Sequence, residues 1–161
     1  AEFPKEEVDL LALAEEEVGA LAETAKDKDI KISVGGEEIT VTGVRRLLHE
    51  IVYNLCDNAL RYTEAGGKVG VTVGKEENEA VITVSDTGIG IPPEDLDRVF
   101  ERFYRTDKSR SKETGGAGLG LSIVKHAVSY LGGRISLDSA QGIGTTFKVY
   151  LPKDPEDHSD D

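Results

Sequence analysis

Apolar positions recur at roughly helical spacing from residue 9 to 26, through Leu10, Leu11, Leu13, Ala14, Val18, Leu21, Ala22 and Ala25, and predict a first helix. The following DIKISVGGEEITVTG alternates apolar and polar residues on both sides of Gly35-Gly36, which predicts a β-hairpin. From Val44 to Tyr62 one stripe carries Val44, Leu47, Leu48, Ile51, Val52, Leu55 and Ala59, the pattern of an amphipathic helix. GKVGVTVG and EAVITVSD then read as two strands joined by a polar turn. From about Thr87 to Gly118 the periodicity lapses, apart from a short helical segment near Glu94–Glu101. An irregular stretch of that length in a small domain is usually functional or disordered. Leu119 to Leu131 is a third helix, stopped by Gly132-Gly133 as a left-handed cap would stop it, and RISLDS and TTFKVYLP close the chain as two strands. Strand pairs separated by helices predict an α+β, two-layer arrangement, a mixed sheet with helices on one face, and not a parallel βαβ array.

Composition narrows this picture. The 161 residues suffice for one domain with a real core. The expected division is a domain over 1–152 and an acidic, disordered tail over 153–161. A net charge of −12 argues against nucleic acid or an anionic membrane as partner. The acid is uneven, however: RVFERFYRTDKSRSK holds six Lys or Arg against Glu101 and Asp107, a basic island suited to a small anionic ligand. No apolar run is long enough to span a membrane. The lone cysteine, Cys56, sits in the apolar IVYNLC and reads as a small buried hydrophobe. Methionine is absent, which reads as a piece of something longer.

Four stretches carry chemistry. On the second helix, Glu50, Asn54, Asn58, Arg61 and Tyr62 fall within an arc of about 120°. Amide oxygens are neutral hard ligands that suit Mg²⁺ when phosphates supply the charge, and an arginine can grip a phosphate in bidentate fashion. In SDTGIGIPP, Asp86 ends a strand; its carboxylate can accept from an exocyclic amine, with Gly88 and Gly90 admitting a flat ring against backbone and Ile91 as an apolar wall. In GGAGLGLSIVKH, Gly115, Gly116, Gly118 and Gly120 run into a helix start, where free N–H groups and the helix dipole form an anion site. Finally, GIGTTF sets Thr145 at the start of the last strand, able to reach the floor of a pocket.

Taken in order and spacing, these stretches resemble the catalytic, ATP-binding domain of PhoR-like bacterial sensor histidine kinases, which shares its Bergerat-type fold with DNA gyrase, mismatch-repair ATPases and the large heat-shock chaperones. The family's asparagine box resembles NLCDNALRY, its glycine boxes DTGIG, GGAGLGLSIVK and GIGTTF, and its phenylalanine box FERFYR. The likeness runs from about Val8 to Pro152 and implies a mixed five-stranded sheet with a lid over about 87–118. It implies ATP and Mg²⁺ as ligands: Asn58 on the metal, Asn54 by the phosphates as a catalytic residue, Arg61 on phosphate, Tyr62 along the adenine. It gives Asp86 the adenine amine, with Gly88, Gly90 and Ile91 around the base and Thr145 in support. Arg105 would stabilise charge on the transferring phosphoryl group, and Gly116, Gly118, Leu119 and Gly120 would meet the phosphates. The implied partners are a helical dimerisation and phosphoacceptor domain of the same parent kinase and, through it, a response regulator. The fragment is expected in the cytoplasm without membrane insertion of its own, its parent anchored in the inner membrane.

Two positions depart from the family pattern. Val44 replaces an acidic residue before the second helix, and Ala117 replaces a threonine in the lid. Hydrolytic relatives carry a glutamate one turn before the metal-binding asparagine; here Asn54 stands there, and an amide is no general base. Glu50 lies eight residues before Asn58, about 12 Å along the axis. Phosphoryl transfer to another domain is therefore expected over hydrolysis. A degenerate nucleotide-binding module without catalysis is the alternative, and nucleotide binding with and without Mg²⁺ bears on it. His49, His126 and His158 lie outside any phosphoacceptor-like sequence, so the acceptor is expected elsewhere.

Overall fold

The computed structural model describes residues 3–101 and 120–153. Strand β1 (Glu6–Asp9) leads into helix α1 (Leu10–Asp27), followed by β2 (Lys31–Gly36), β3 (Thr40–Gly43) and helix α2 (Arg45–Arg61). Strands β4 (Lys68–Glu76) and β5 (Glu79–Asp86) precede a single 3₁₀ turn, Pro93–Asp95. Helix α3 (Gly120–Tyr130) and strands β6 (Arg134–Ala140) and β7 (Gly144–Pro152) complete the described chain. The main sheet has five strands in the order β2-β4-β5-β7-β6; β2 and β4 run parallel and the other pairs antiparallel. The expected mixed sheet with helices on one face is what forms.

The pattern of side chains explains the layers. Val69, Val71 and Val73 of β4, Ala80, Ile82 and Val84 of β5, and Phe147, Val149 and Leu151 of β7 share one sheet face and are all buried. Leu10, Leu13, Ala14, Val18, Leu21 and Ala25 form the apolar face of α1, and Leu47, Leu48, Ile51, Val52, Leu55, Cys56, Ala59 and Leu60 that of α2. Helix α1 lies over β2 and β4, α2 over β4 and β5, and α3 over β6, with α2 packed between the other two. Each Leu or Val so enclosed contributes roughly 1.5–3 kcal/mol.

The ends of the helices follow different rules. Asp9 caps α1, its Oδ1 accepting from Ala12 N–H at 3.0 Å. At α2 the cap position is Val44, which makes no side-chain bond; it is buried instead, and its carbonyl accepts from Leu48 N–H at 3.0 Å. Burial thus takes the place of a side-chain cap at this helix end. Gly132 takes the left-handed conformation (φ +77°) after α3, as its sequence predicts. Helices α1 and α2 are joined by polar contacts as well as packing. His49 of α2 sits between Glu17, bonded at Nδ1, and Glu16, 3.4 Å from Nε2, and Lys28 Nζ donates to the Leu60 carbonyl at 2.6 Å. Cys56 is fully enclosed; burial, aided by the charges of Glu17 and Asp57, pushes its thiol up to about 12.

The expected hairpin between β2 and β3 does not form. β2 pairs with β4, whereas β3 pairs antiparallel with β1, in a separate two-stranded sheet. Gly36 explains the difference. It runs so close to β4 that a Cβ there would collide with the Val73 carbonyl, and Glu37 N–H donates to that same oxygen at 2.8 Å. The glycines that resembled a tight turn instead let the chain hug β4 to the end of their pairing. Helix α2 then makes the crossover that a parallel pair requires.

Candidate functional site

At one end of the helix-covered sheet face the core residues give way to polar ones at the same parity. Asp86 follows Ile82 and Val84 along β5, Thr145 precedes Phe147 on β7, and Ser139 follows Ile135 and Leu137 on β6. Register places Asp86 opposite Thr145 and Thr145 opposite Ser139. Asp86 Oδ1 accepts from Gly88 N–H at 2.8 Å and from Thr145 N–H at 3.3 Å. Those bonds favour the ionised form, but desolvation outweighs them and raises the carboxyl to about 6. Among the described residues Oδ2 has no hydrogen-bond partner, so it is the oxygen left for a ligand.

The segment after β5 is pinned on all sides. Thr87 exchanges bonds with Lys68, its N–H donating to the carbonyl at 3.1 Å and its Oγ1 accepting from Lys68 N–H at 3.0 Å. Ile89 N–H donates to the Tyr62 carbonyl at 3.0 Å, Gly142 N–H donates to the Ile89 carbonyl at 2.7 Å, and Ile91 N–H donates to Ser139 Oγ at 2.8 Å. Two of its glycines are required by this path. A Cβ at Gly88 would strike the Tyr62 carbonyl; Gly90 has φ +74° and lies against the Ala140 carbonyl. Further on, Val99 is buried and Phe100 meets Phe147 edge-on at 6.1 Å, with Lys125 Nζ 5.4 Å from the Phe100 ring. The irregular stretch expected from Thr87 is thus anchored at both ends of its described part, and the helical segment expected near Glu94–Glu101 is shorter, a 3₁₀ turn with further turns to Phe100.

Helix α2 forms the wall beside this floor. Glu50, Asn54, Asn58, Arg61 and Tyr62 are all half-buried, as one stripe at a boundary should be. Asn54 Nδ2 donates to the Glu50 carbonyl at 2.7 Å, which leaves its Oδ1 on the side of α3. A Cβ on Gly120, the first residue of α3, would stand 3.4 Å from that oxygen. Arg61 Nε donates to Asp57 Oδ2 at 2.8 Å. The Asn58 side-chain amide bonds to nothing among the described residues. The Glu50 carboxylate lies 3.7 Å from Arg46.

The structure therefore brings together Asn54, Asn58, Arg61, Tyr62, Asp86, Gly88, Gly90, Ile91, Gly120 and Thr145. Arg105, Gly116, Gly118 and Leu119 lie outside the described residues, as do Ala117, most of the basic island and lid, His158 and the greater part of the tail. Ser139 was not anticipated. The signal was present in RISLDS, where a serine occupies the parity of Ile135 and Leu137.

Comparison with known proteins identifies the family and the fold. The family model described as "Histidine kinase-, DNA gyrase B-, and HSP90-like ATPase" matches residues 43–155. The sensor-like histidine kinase SenX3 of Mycolicibacterium smegmatis is 41% identical over 157 residues, covering 96% of this chain and 41% of that protein. The solved mycobacterial sensor histidine kinase MprB superposes with a TM-score of 0.83 at 34% identity, over 93% of this chain and 99% of that one. Full-length ShkA, solved in complex with AMPPNP, gives 0.84 at 29% identity, over 95% of this chain and 32% of that one. The chain spans 24–41% of the length of three curated sensor kinases it matches. No described helix is long and apolar enough to cross a membrane.

Proposed function

The chain belongs to the histidine kinase-, DNA gyrase B-, and HSP90-like ATPase family, and on that premise we propose that it binds Mg-ATP and transfers the γ-phosphoryl group to a histidine on a separate helical domain of a larger sensor kinase. One observation carries the reading. The acceptor row led by Asp86 and the polar stripe of α2 meet at the same end of the sheet, coupled by the bond from Ile89 to the Tyr62 carbonyl. A base on the floor and phosphates along α2 fit that layout.

Asp86 accepts the adenine amine through Oδ2, with Ile91 and Tyr62 along the ring and the close-running backbone at Gly88 and Gly90 beneath it. Arg61, steadied by Asp57, faces the phosphates. The donor set suits a hard cation: among the described residues Asn58 offers an amide oxygen with no hydrogen-bond partner, and Asn54 donates its nitrogen to Glu50 and keeps its oxygen without one. Asn58 would hold Mg²⁺, which when bound offsets the negative charge of the phosphates. Gly120 and the residues before it, Gly116, Gly118 and Leu119, offer main-chain N–H groups to the anion, and Arg105 stabilises charge at the phosphoryl group in flight. No carboxylate stands one turn before Asn58 to take a proton from water, which favours transfer over hydrolysis.

Incubation of the chain with γ-labelled ATP, alone and with the helical phosphoacceptor domain of its parent, tests this. His49 is engaged by Glu17 and Glu16, and His126 faces solvent on α3. The chain alone should take no label, and the partner domain should take acid-labile label slowly, because no tether raises its effective concentration. Strong acid-labile label on the isolated chain, or none on the partner, overturns the proposal.

A further inference from the structure

Ser139 ends the row that begins at Asp86, and its hydroxyl touches three groups of different kinds. Ile91 N–H lies 2.8 Å from Ser139 Oγ, Thr145 Oγ1 lies 2.8 Å away, and the Gly144 carbonyl 3.1 Å. An amide N–H only donates and a carbonyl only accepts. A serine hydroxyl has one proton and two lone pairs. All three contacts are made at once in one arrangement: Ser139 gives its proton to Gly144 and receives from Ile91 and from Thr145. The Thr145 proton is then spent on Ser139, and its oxygen offers only lone pairs to anything else. Ionised Asp86, next in the row, also offers only lone pairs.

We infer that Ser139 is a positioning residue that fixes the hydrogen-bond polarity of Thr145, so that the floor of the site accepts and never donates. The inference rests on the reading that the base of the nucleotide lies over Asp86 and Thr145. A floor of acceptors favours a purine whose edge carries an amine, with two N–H donors, over one that lacks it. Without the Ser139 hydroxyl the Thr145 proton is released and turns toward the ligand, where it opposes the amine. The same hydroxyl also holds the Ile91 backbone, so a purely structural role is the competing account.

The two roles separate with a pair of ligands, ATP and the purine riboside triphosphate that lacks the 6-amino group. Dissociation constants for both are measured on the wild-type chain and on Ser139→Ala and Ser139→Thr. Wild type should prefer ATP. Ser139→Ala should lose about three- to tenfold of that preference, the range of one neutral hydrogen bond, by weakening ATP and sparing the analogue. Ser139→Thr, which keeps a hydroxyl, should restore it, and Thr145→Val added to Ser139→Ala should cost no further preference. Should the alanine variant fail to fold, Ser139→Cys, similar in size with a weakly bonding thiol, carries the same comparison. Equal loss for both ligands, or unchanged preference, overturns the role of Ser139 alone. Equal binding of both ligands by the wild type overturns the placement of the base, and this inference with it.

Discussion

Thr145 stands directly across from Asp86 in the β5–β7 pairing and donates its backbone N–H to Asp86 Oδ1 at 3.3 Å. That bond and the one from Gly88 do not offset burial, and the carboxyl titrates near 6 against an ordinary 3.8. A carboxyl raised in the fold favours folding most below its unfolded value, and the contribution is lost as pH rises through the folded value. Asp86→Asn removes the titration and keeps an oxygen for both donors. The nucleotide-free variant should melt higher than wild type at about pH 8, with the gap closing toward about pH 4. Thermal melts across that range check it; a gap that does not change with pH refutes it.

Nucleotide binding should run the opposite way. Oδ1 is held by the Gly88 and Thr145 N–H groups, so a proton taken up by Asp86 goes to Oδ2, the oxygen that accepts the amine, and affinity for ATP should fall as pH drops through about 6. Asp86→Asn should weaken ATP by about 1.5–3 kcal/mol and flatten the profile. Calorimetric titration of both proteins at several pH values decides; a parallel decline in the variant assigns the effect to another group.

Asn58→Ala should abolish Mg²⁺-dependent nucleotide binding and leave the fold intact. Its amide bonds to no described residue, so stability should change by no more than about 0.5 kcal/mol. Titrations with and without Mg²⁺, paired with circular dichroism, give both readouts. Retained Mg²⁺ dependence removes Asn58 from the metal.

Sequence pattern revealed the sheet, its helices and the polar stripe because each repeats with a clear period. Val69, Val71 and Val73 mark one face of β4, and Asn54 and Asn58 recur one turn apart on the polar stripe of α2. Pairing was less legible. β2 and β3 each alternate correctly, yet nothing local says that Gly36 abuts Val73 and not Thr40. β1 escaped notice because four residues with one buried side chain, Val8, carry no period. Ser139 escaped because a lone serine acquires its meaning from strands that lie next to it only in the fold.

Cys56 should be inert in the native protein. Its thiol is fully enclosed and pushed up to about 12, so almost no thiolate exists near neutral pH. Reaction with a disulfide reagent at pH 8 should be negligible until denaturant is added, then rapid. Prompt native reaction means that α2 opens locally.

His49→Ala should cost about 1–3 kcal/mol, because it strips the partner from Glu17, whose side chain is only 12% exposed. Glu16→Ala, at 66% exposed, should cost less than about 1 kcal/mol. Urea unfolding of both variants tests the contrast. Equal costs show that the pairing with Glu17 adds nothing beyond a surface contact.

The family match begins at Gly43, within β3, yet the parallel partner of β4 is β2, which ends at Gly36. A fragment trimmed to the matched region would keep every polar residue of the site and still strip one flank of the sheet. Strand β4, nine residues long, would present an open row of N–H and C=O groups along its whole length, beside valines that α1 had covered. Such an edge invites pairing with a second copy, and so aggregation. For soluble expression the practical boundary lies before Val8, whose strand also closes on β3.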